Sequence, residues 1–212
     1  MSDDMQTVCE ALGMEVPAGE LDAAGLVFAQ HLVVIDGMMC CSVTMMQFED
    51  PVITADGFQI ERSAIEDWFA EGHTTSCRTL EVLEDLELTP SPMCRVMRAL
   101  FVDGGTLLAA PDRVDTTEAL FGRHIAAMTR ALSCPITLEL LENPIMTSDG
   151  HAYEYTALLD WLKQDNKTSP LTGLVLTRRV IWVNRLALVL LRVLGNAKAE
   201  LERLKRARIH TD

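Results

Sequence analysis

The sequence predicts an α+β fold in which one small domain occurs twice in tandem. Three observations support this. A displacement of 93 residues lays Cys41 on Cys134, Pro51 on Pro144, Asp56-Gly57 on Asp149-Gly150, Asp67-Trp68 on Asp160-Trp161 and Thr79 on Thr172. The same register runs back without a gap to Asp22 on Asp115, and self-similarity at one fixed offset marks a duplication. In each copy an Asp-Gly pair separates two short apolar runs, "PVITADGFQIER" and "PIMTSDGHAYEY", which is the pattern of a β-hairpin. On either side of each hairpin, apolar residues recur at helical spacing.

Each copy reads in the same order. Asp22 or Asp115 can cap a leader helix whose apolar face holds Val27, Phe28 and Leu32, or Leu120, Phe121 and Ile125. His31 and His124 recur three residues after a Phe and are expected to pack between leader helix and domain. A loop around Cys41 or Cys134 leads into the hairpin. Ser63 or Thr156 then starts a central helix, "SAIEDWFAEG" or "TALLDWLKQDN". A second loop follows, "TTSCRT" or "TSPLTG", and after it a short strand and a closing helix from Ser91 or Asn184. The resulting domains are a tail at 1–20, a first unit at 21–103, a linker at 104–113 with its Gly pair and Pro, and a second unit at 114–212.

The terminal segment sets Leu190, Leu194, Ala197, Leu201 and Leu204 at spacings of four and three, a coiled-coil-like stripe. It can pair two chains as a homodimer or pack on the leader helix of the second copy. The intramolecular option is favoured, since two repeats already offer each other apolar faces.

Charge divides the chain. Residues 1–112 carry 20 acids and four bases, whereas residues 113–212 carry 11 acids and 14 bases. Such a split predicts two unlike surfaces. The acidic half is either a plain solvated surface or a face that attracts a basic partner. A net charge of −13 argues against nucleic acid as a partner. No apolar run reaches the length of a bilayer span, and the acidic start does not resemble a signal peptide, so a soluble chain with no membrane partner is expected. Six cysteines without a C-x-x-C pair fit reduced thiols in a cytoplasmic or nuclear setting. Cys41 and Cys134 are expected to be small buried apolar residues. In the first copy, His73, Cys77, Cys40 and Cys41 could gather a zinc ion as a RING-like module, but the second copy offers no matching set, so no metal is expected. No phosphate-binding glycine loop or nucleophile–base motif is present.

The second copy, "CPIT-x-E-L-x-x-x-P-I-x-T-x-x-G-x-x-Y-E" followed by a Trp-bearing helix and "TSPLTG", closely resembles the U-box, a RING-like domain without zinc. The resemblance covers about 133–195, and more loosely about 40–101, where Ser42 and Cys77 replace Pro135 and Pro170. The pairing of two such domains is similar in organisation to a bacterial two-U-box effector, for which the cytoplasm would be that of the host.

The resemblance implies an E3 ubiquitin-protein ligase of the non-covalent type. Such a ligase uses no cofactor and no covalent residue. It docks a ubiquitin-conjugating enzyme (E2) charged with ubiquitin and holds the thioester for transfer to a protein substrate. The implied docking groove in the second copy is Ile136, Leu138, Trp161 and Pro170. In the first copy the matching surface is Val43, Met45, Trp68 and Cys77, read as binding substrate or a partner. The implied polar network in place of metal is Thr137, Asp149, Glu154, Ser169 and Thr172. Active members carry a donor such as Arg at the end of loop two. Here Gly173 and Leu80 stand at that position, with Arg178 nearby as the one substitute. The alternative is an interaction scaffold that keeps the fold without ligase activity.

Overall fold

The computed structural model describes residues 23–108, 117–177 and 182–209. The first copy runs α1 (Ala23–Met38), β1 (Pro51–Ile53), β2 (Gln59–Glu61), α2 (Arg62–Ala70), β3 (Thr89–Pro90) and α3 (Pro92–Leu108). The second runs α4 (Thr117–Ala131), β4 (Pro144–Met146), β5 (Ala152–Glu154), α5 (Tyr155–Lys163), β6 (Trp182–Val183) and α6 (Arg185–Ile209). Both sheets are three-stranded and antiparallel, with the strand order β2-β1-β3 in one and β5-β4-β6 in the other. The duplication is thus reproduced element by element, as an α+β fold.

Both hairpins turn at the Asp-Gly pair. Gly57 and Gly150 each adopt φ +80, a conformation L-residues resist. Registers correspond, with Val52 opposite Ile60 and Ile145 opposite Tyr153. The central helices begin one residue before the predicted starts, at Arg62 and Tyr155, and neither Ser63 nor Thr156 caps them. The N-cap positions are Glu61 and Glu154, whose side chains make no capping bond. Their carboxylates accept loop-one amides instead: Glu49 and Asp50 at 2.9 Å each, and Glu142 and Asn143 at 2.8 and 3.0 Å. Asn184 does cap α6, accepting the Ala187 amide at 2.9 Å.

The chain divides into two compact units, and their boundaries differ from the predicted domains. One contains both sheet-bearing modules, Met39–Met97 and Arg130–Leu191. The other, drawn from Met1–Met38, Arg98–Thr129 and Arg192–Asp212, is helical over its described residues. The predicted linker at 104–113 is helical through Leu108, where α3 carries the Gly104-Gly105 pair; the rest of it, like the caps Asp22 and Asp115, lies outside the described residues. Helix-interior glycine costs only about 1 kcal/mol each, which a longer helix can absorb.

Within each unit the two copies meet about an approximate two-fold relation, residue i of one against j of the other and j against i. In the two-module unit, Gly57 faces Val183 and Arg185 while Gly150 faces Pro90 and Pro92, and these partners are themselves 93 apart. The Arg185 guanidinium lies 4.8 Å over the Phe58 ring, and Met93 packs on the core of the second module. In the helical unit, Phe28 and Phe121 meet tilted at 5.0 Å, and His31 meets His124 at 5.3 Å. Cross pairs Phe28–His124 and His31–Phe121 both lie at 5.5 Å. The two histidines are buried, but each packs against the other leader helix. This is how an isologous dimer interface is built, here within one chain.

The α6 stripe is accounted for inside the chain. Leu190, Leu194, Ala197 and Leu201 are buried, and Gly122 of α4 lies under Leu201. No described helix is long and apolar enough to cross a membrane.

Candidate functional site

The site is built from four loops with one backbone design. In each, an amide donates to the carbonyl five residues on, and the amide four residues on donates back to the starting carbonyl. The rings start at Cys41, Ser76, Cys134 and Ser169. For Cys134 the two bonds are 2.7 and 2.8 Å, and for Ser169 they are 2.8 and 2.9 Å. The fifth residue of each ring takes a left-handed conformation: Met45 (φ 58), Leu80 (φ 62), Leu138 (φ 60) and Gly173 (φ 71).

At the centre of each ring sits the heteroatom of its first residue. Cys134 Sγ accepts the amides of Ile136 at 3.4 Å and Glu154 at 3.2 Å, tying loop one to β5. Cys41 Sγ accepts those of Val43 and Glu61, both at 3.4 Å. Although burial opposes it, this cradle, with the Glu61 amide foremost, draws the Cys41 thiol below its ordinary range. Ser169 Oγ accepts Leu171 and Thr172 at 3.3 and 3.1 Å, and Ser76 Oγ accepts Arg78 and Thr79, both at 3.2 Å. The two cysteines are buried, as expected, but they are acceptors at the loop centre and not mere apolar filling. The sequence did hold a signal, since "CPIT" at 134–137 recurs as "SPLT" at 169–172.

The polar network that the resemblance implies assembles in part. Asp149 takes the Thr147 hydroxyl and, at 3.1 Å, the Thr172 hydroxyl, which joins the hairpin turn to loop two. Burial alone would raise its pKa. Hydrogen bonds from His151, Ser169 and Thr147 outweigh this and hold the carboxyl well below the usual range. Glu154 braces the end of loop one; burial again works against it, and the Glu142 and Asn143 amides lower its pKa. Thr137 departs from the expected role: it is exposed and accepts the Glu139 amide two residues on at 3.3 Å, closing its own turn without reaching loop two. Tyr153 was overlooked. Its buried hydroxyl meets Ser169 Oγ at 2.8 Å and accepts the Leu171 amide at 3.3 Å.

Ser169→Ala would leave the Tyr153 hydroxyl and two loop amides short of a partner, and is expected to lower unfolding stability by about 2 kcal/mol. Ser76→Ala should cost less, about 1 kcal/mol, because Ile60 stands where Tyr153 does. Chemical denaturation of the two variants side by side checks the difference.

The residues that the resemblance implies for docking differ in exposure. Leu138, at the left-handed tip of loop one, is 80% exposed, and Leu171 and Leu174 are exposed on loop two. Ile136 and Trp161 are half-buried and pack on one core cluster of Cys134, Leu141, Ile145, Ala152, Tyr153 and Leu158. Trp161 donates its indole N–H to Thr168 O at 2.9 Å, so it also anchors loop two. Pro170 is half-buried between Ser169 and Leu171.

In the first module Met45 is 79% exposed and Val43 is exposed beside it. Trp68 repeats the anchor, donating to Thr75 O at 2.8 Å. Its ring face, however, is covered by the His73 imidazole, stacked at 3.8 Å. His73 also approaches Glu71 at 3.5 Å. Cys77 is half-buried, and burial raises its thiol pKa. The turn-to-loop link is missing here: Asp56 Oδ2 is buried with no hydrogen-bond partner where Asp149 holds Thr172. Among the described residues no group of three or more His, Cys, Asp or Glu could hold a metal ion.

A comparison with protein families matches the U-box domain at residues 36–102 and again at 130–187. The chain belongs to the U-box family. Its relatives include the human WD repeat, SAM and U-box domain-containing protein 1, 46% identical over 52 residues, or 24% of this chain and 11% of that protein. U-box domain-containing protein 51 of Arabidopsis thaliana is 49% identical over 57 residues, 27% of this chain and 7% of the relative. U-box domain-containing protein 13 of the same plant is 30% identical over 79 residues, 37% of this chain and 12% of the relative. The chain therefore spans about a tenth of the length of these curated relatives. U-box proteins are of the E3 ubiquitin-ligase type and generally bind conjugating enzymes.

Proposed function

We propose that this U-box chain is a non-covalent E3 ubiquitin ligase, that its second module docks a ubiquitin-charged E2 through Ile136, Leu138, Trp161 and Pro170, and that its first module binds substrate or a partner. The observation that carries this is Leu138. A left-handed backbone is costly for a leucine, about 1 kcal/mol or more, and an 80% exposed side chain gains little from the fold in return. An exposed apolar side chain held on a strained, hydrogen-bonded ring is suited to serve as an anchor for another protein. The division of labour is supported by the contrast between modules. The second has its loops tied by Thr172–Asp149 and Tyr153–Ser169, whereas the first lacks both ties and has His73 over Trp68. Six cysteines without a C-x-x-C pair suit a reducing compartment, cytoplasmic or nuclear.

The test is in-vitro ubiquitination over a panel of conjugating enzymes. Ile136→Ala should reduce chain formation by about tenfold or more, while Val43→Ala leaves it near wild type. Leu138→Gly should do the same as Ile136→Ala yet keep unfolding stability within about 1 kcal/mol, because glycine accepts the left-handed turn. Loss of activity in Val43→Ala alone would reverse the assignment of the modules.

A second reading, a scaffold without ligase activity, is favoured by Gly173 and Leu80 at the end of loop two, neither of which offers a side-chain donor. Arg178 lies outside the described residues. If the wild-type chain forms no ubiquitin conjugates with any enzyme of the panel, this reading replaces the first.

A further inference from the structure

The segment that follows loop two differs sharply between the copies. In the first module it reads "LEVLEDLE", residues 80–87; the same repeat positions in the second, 173–180, read "GLVLTRRV". Exposed Leu80, Val82 and Leu86 alternate there with exposed Glu81, Glu84 and Glu87, and Val82 is 77% exposed. Leu83 is buried and Thr75 bridges Val82, which fixes the strip to the module. Asp85 and Leu86 occupy the positions of Arg178 and Arg179, so charge is inverted at the first of these places and absent at the second. Over the whole module the imbalance persists. Residues 39–97 hold eleven acids and three arginines, a balance of −8, while 130–191 hold six of each sign and balance at zero.

Neither half of this pattern is informative alone, since acids on a surface are commonplace. Interleaved with large exposed apolar side chains they are not: such residues oppose folding economy unless something covers them. We infer that the strip Leu80–Glu87 docks a basic, apolar-anchored segment of a protein substrate. Apolar anchors would sit against Leu80, Val82 and Leu86, and flanking Lys or Arg side chains would face Glu81, Glu84 and Glu87. Opposite charge at the rim favours capture and orientation of the partner, and buried apolar contacts hold it. This inference deepens the division of labour proposed above by naming the class of chain that the first module takes. It does not depend on ligase activity.

The test is fluorescence anisotropy on the full chain with a labelled peptide of alternating lysine and leucine, and with its glutamate–leucine counterpart. The lysine peptide should bind and the glutamate peptide should not. Raising salt from about 50 to about 300 mM should weaken binding by about tenfold or more. Val82→Ser with Leu86→Ser should weaken it by about tenfold, and Glu84→Lys with Glu87→Lys should do likewise. Leu174→Ser with Val175→Ser, in the second module, should leave it unchanged. Absence of binding overturns the inference. So does binding that ignores the Val82 and Leu86 substitutions, which would be charge attraction alone, or sedimentation that shows a second copy of this chain occupying the strip. Binding lost only on second-module substitution overturns it too. Failure of the ubiquitination assay with peptide binding intact would remove the ligase reading and leave this one standing.

Discussion

Gly150→Ala is expected to lower unfolding stability by about 4 kcal/mol, and Gly57→Ala by about 1, although the two glycines share φ +80 and the same place in the repeat. The backbone cost is common to both. A Cβ on Gly57 would rest 3.7 Å from Val183 O, an ordinary contact. One on Gly150 would lie 2.0 Å from Pro90 O and 2.8 Å from Pro92 Cδ. Neither can yield cheaply, because Pro90 is a paired residue of β3 and Pro92 opens α3. The difference between the variants therefore measures the close approach of the two modules, free of the turn itself. Denaturation of both, read by the same probe, checks it; equal losses would mean that the modules separate at little cost.

The second large effect is an acid limb. His31 is buried against His124, and burial first, then the neighbouring imidazole, lowers its pKa to about 4; burial lowers that of His124 to about 4 as well. Both fall below the ordinary 6.5, so the folded state holds them neutral while the unfolded chain binds protons more readily. Their contribution is complete above about pH 6.5 and is lost as pH falls toward 4. From about pH 7.5 to pH 5 the loss is about 2 kcal/mol for each, about 4 together. Gln30, Asn196 and Glu200 line the groove beside His31, and Glu200 is the acid among them that could soften the effect. The depressed carboxyl of Asp149 acts in a separate window, since its stabilisation is lost only below the ordinary carboxylate range. Unfolding free energy across this pH interval should fall for the wild type and stay nearly level for His31→Leu with His124→Leu. A level wild-type profile would remove the argument.

The sequence was most informative where chemistry is local. The Asp-Gly turns, the helix periods and the offset of 93 are each set by neighbouring residues, and the sheets and helices appear where they were expected. It was least informative about which atom receives a hydrogen bond. The resemblance puts Thr137 in the polar network, yet the acceptor at that loop centre is Cys134. A thiol looks apolar in a sequence, and only the turn geometry aims two amides at it. Glu61 was similarly hidden, since its partners lie eleven and twelve residues away. The His31–His124 contact is longer in range still. The repeat announced two matching histidines, but nothing in either copy tells that they meet each other.

That internal symmetry has a kinetic consequence. A symmetric assembly of two separate subunits comes apart on dilution, and any substitution alters both of its faces at once. Here a tether joins the halves permanently, so whatever the two modules bind would stay at millimolar mutual concentration however scarce the protein is. It also frees either half to drift: one could exchange its electrostatic character while its sibling kept its rigidity, an asymmetry closed to any true homodimer.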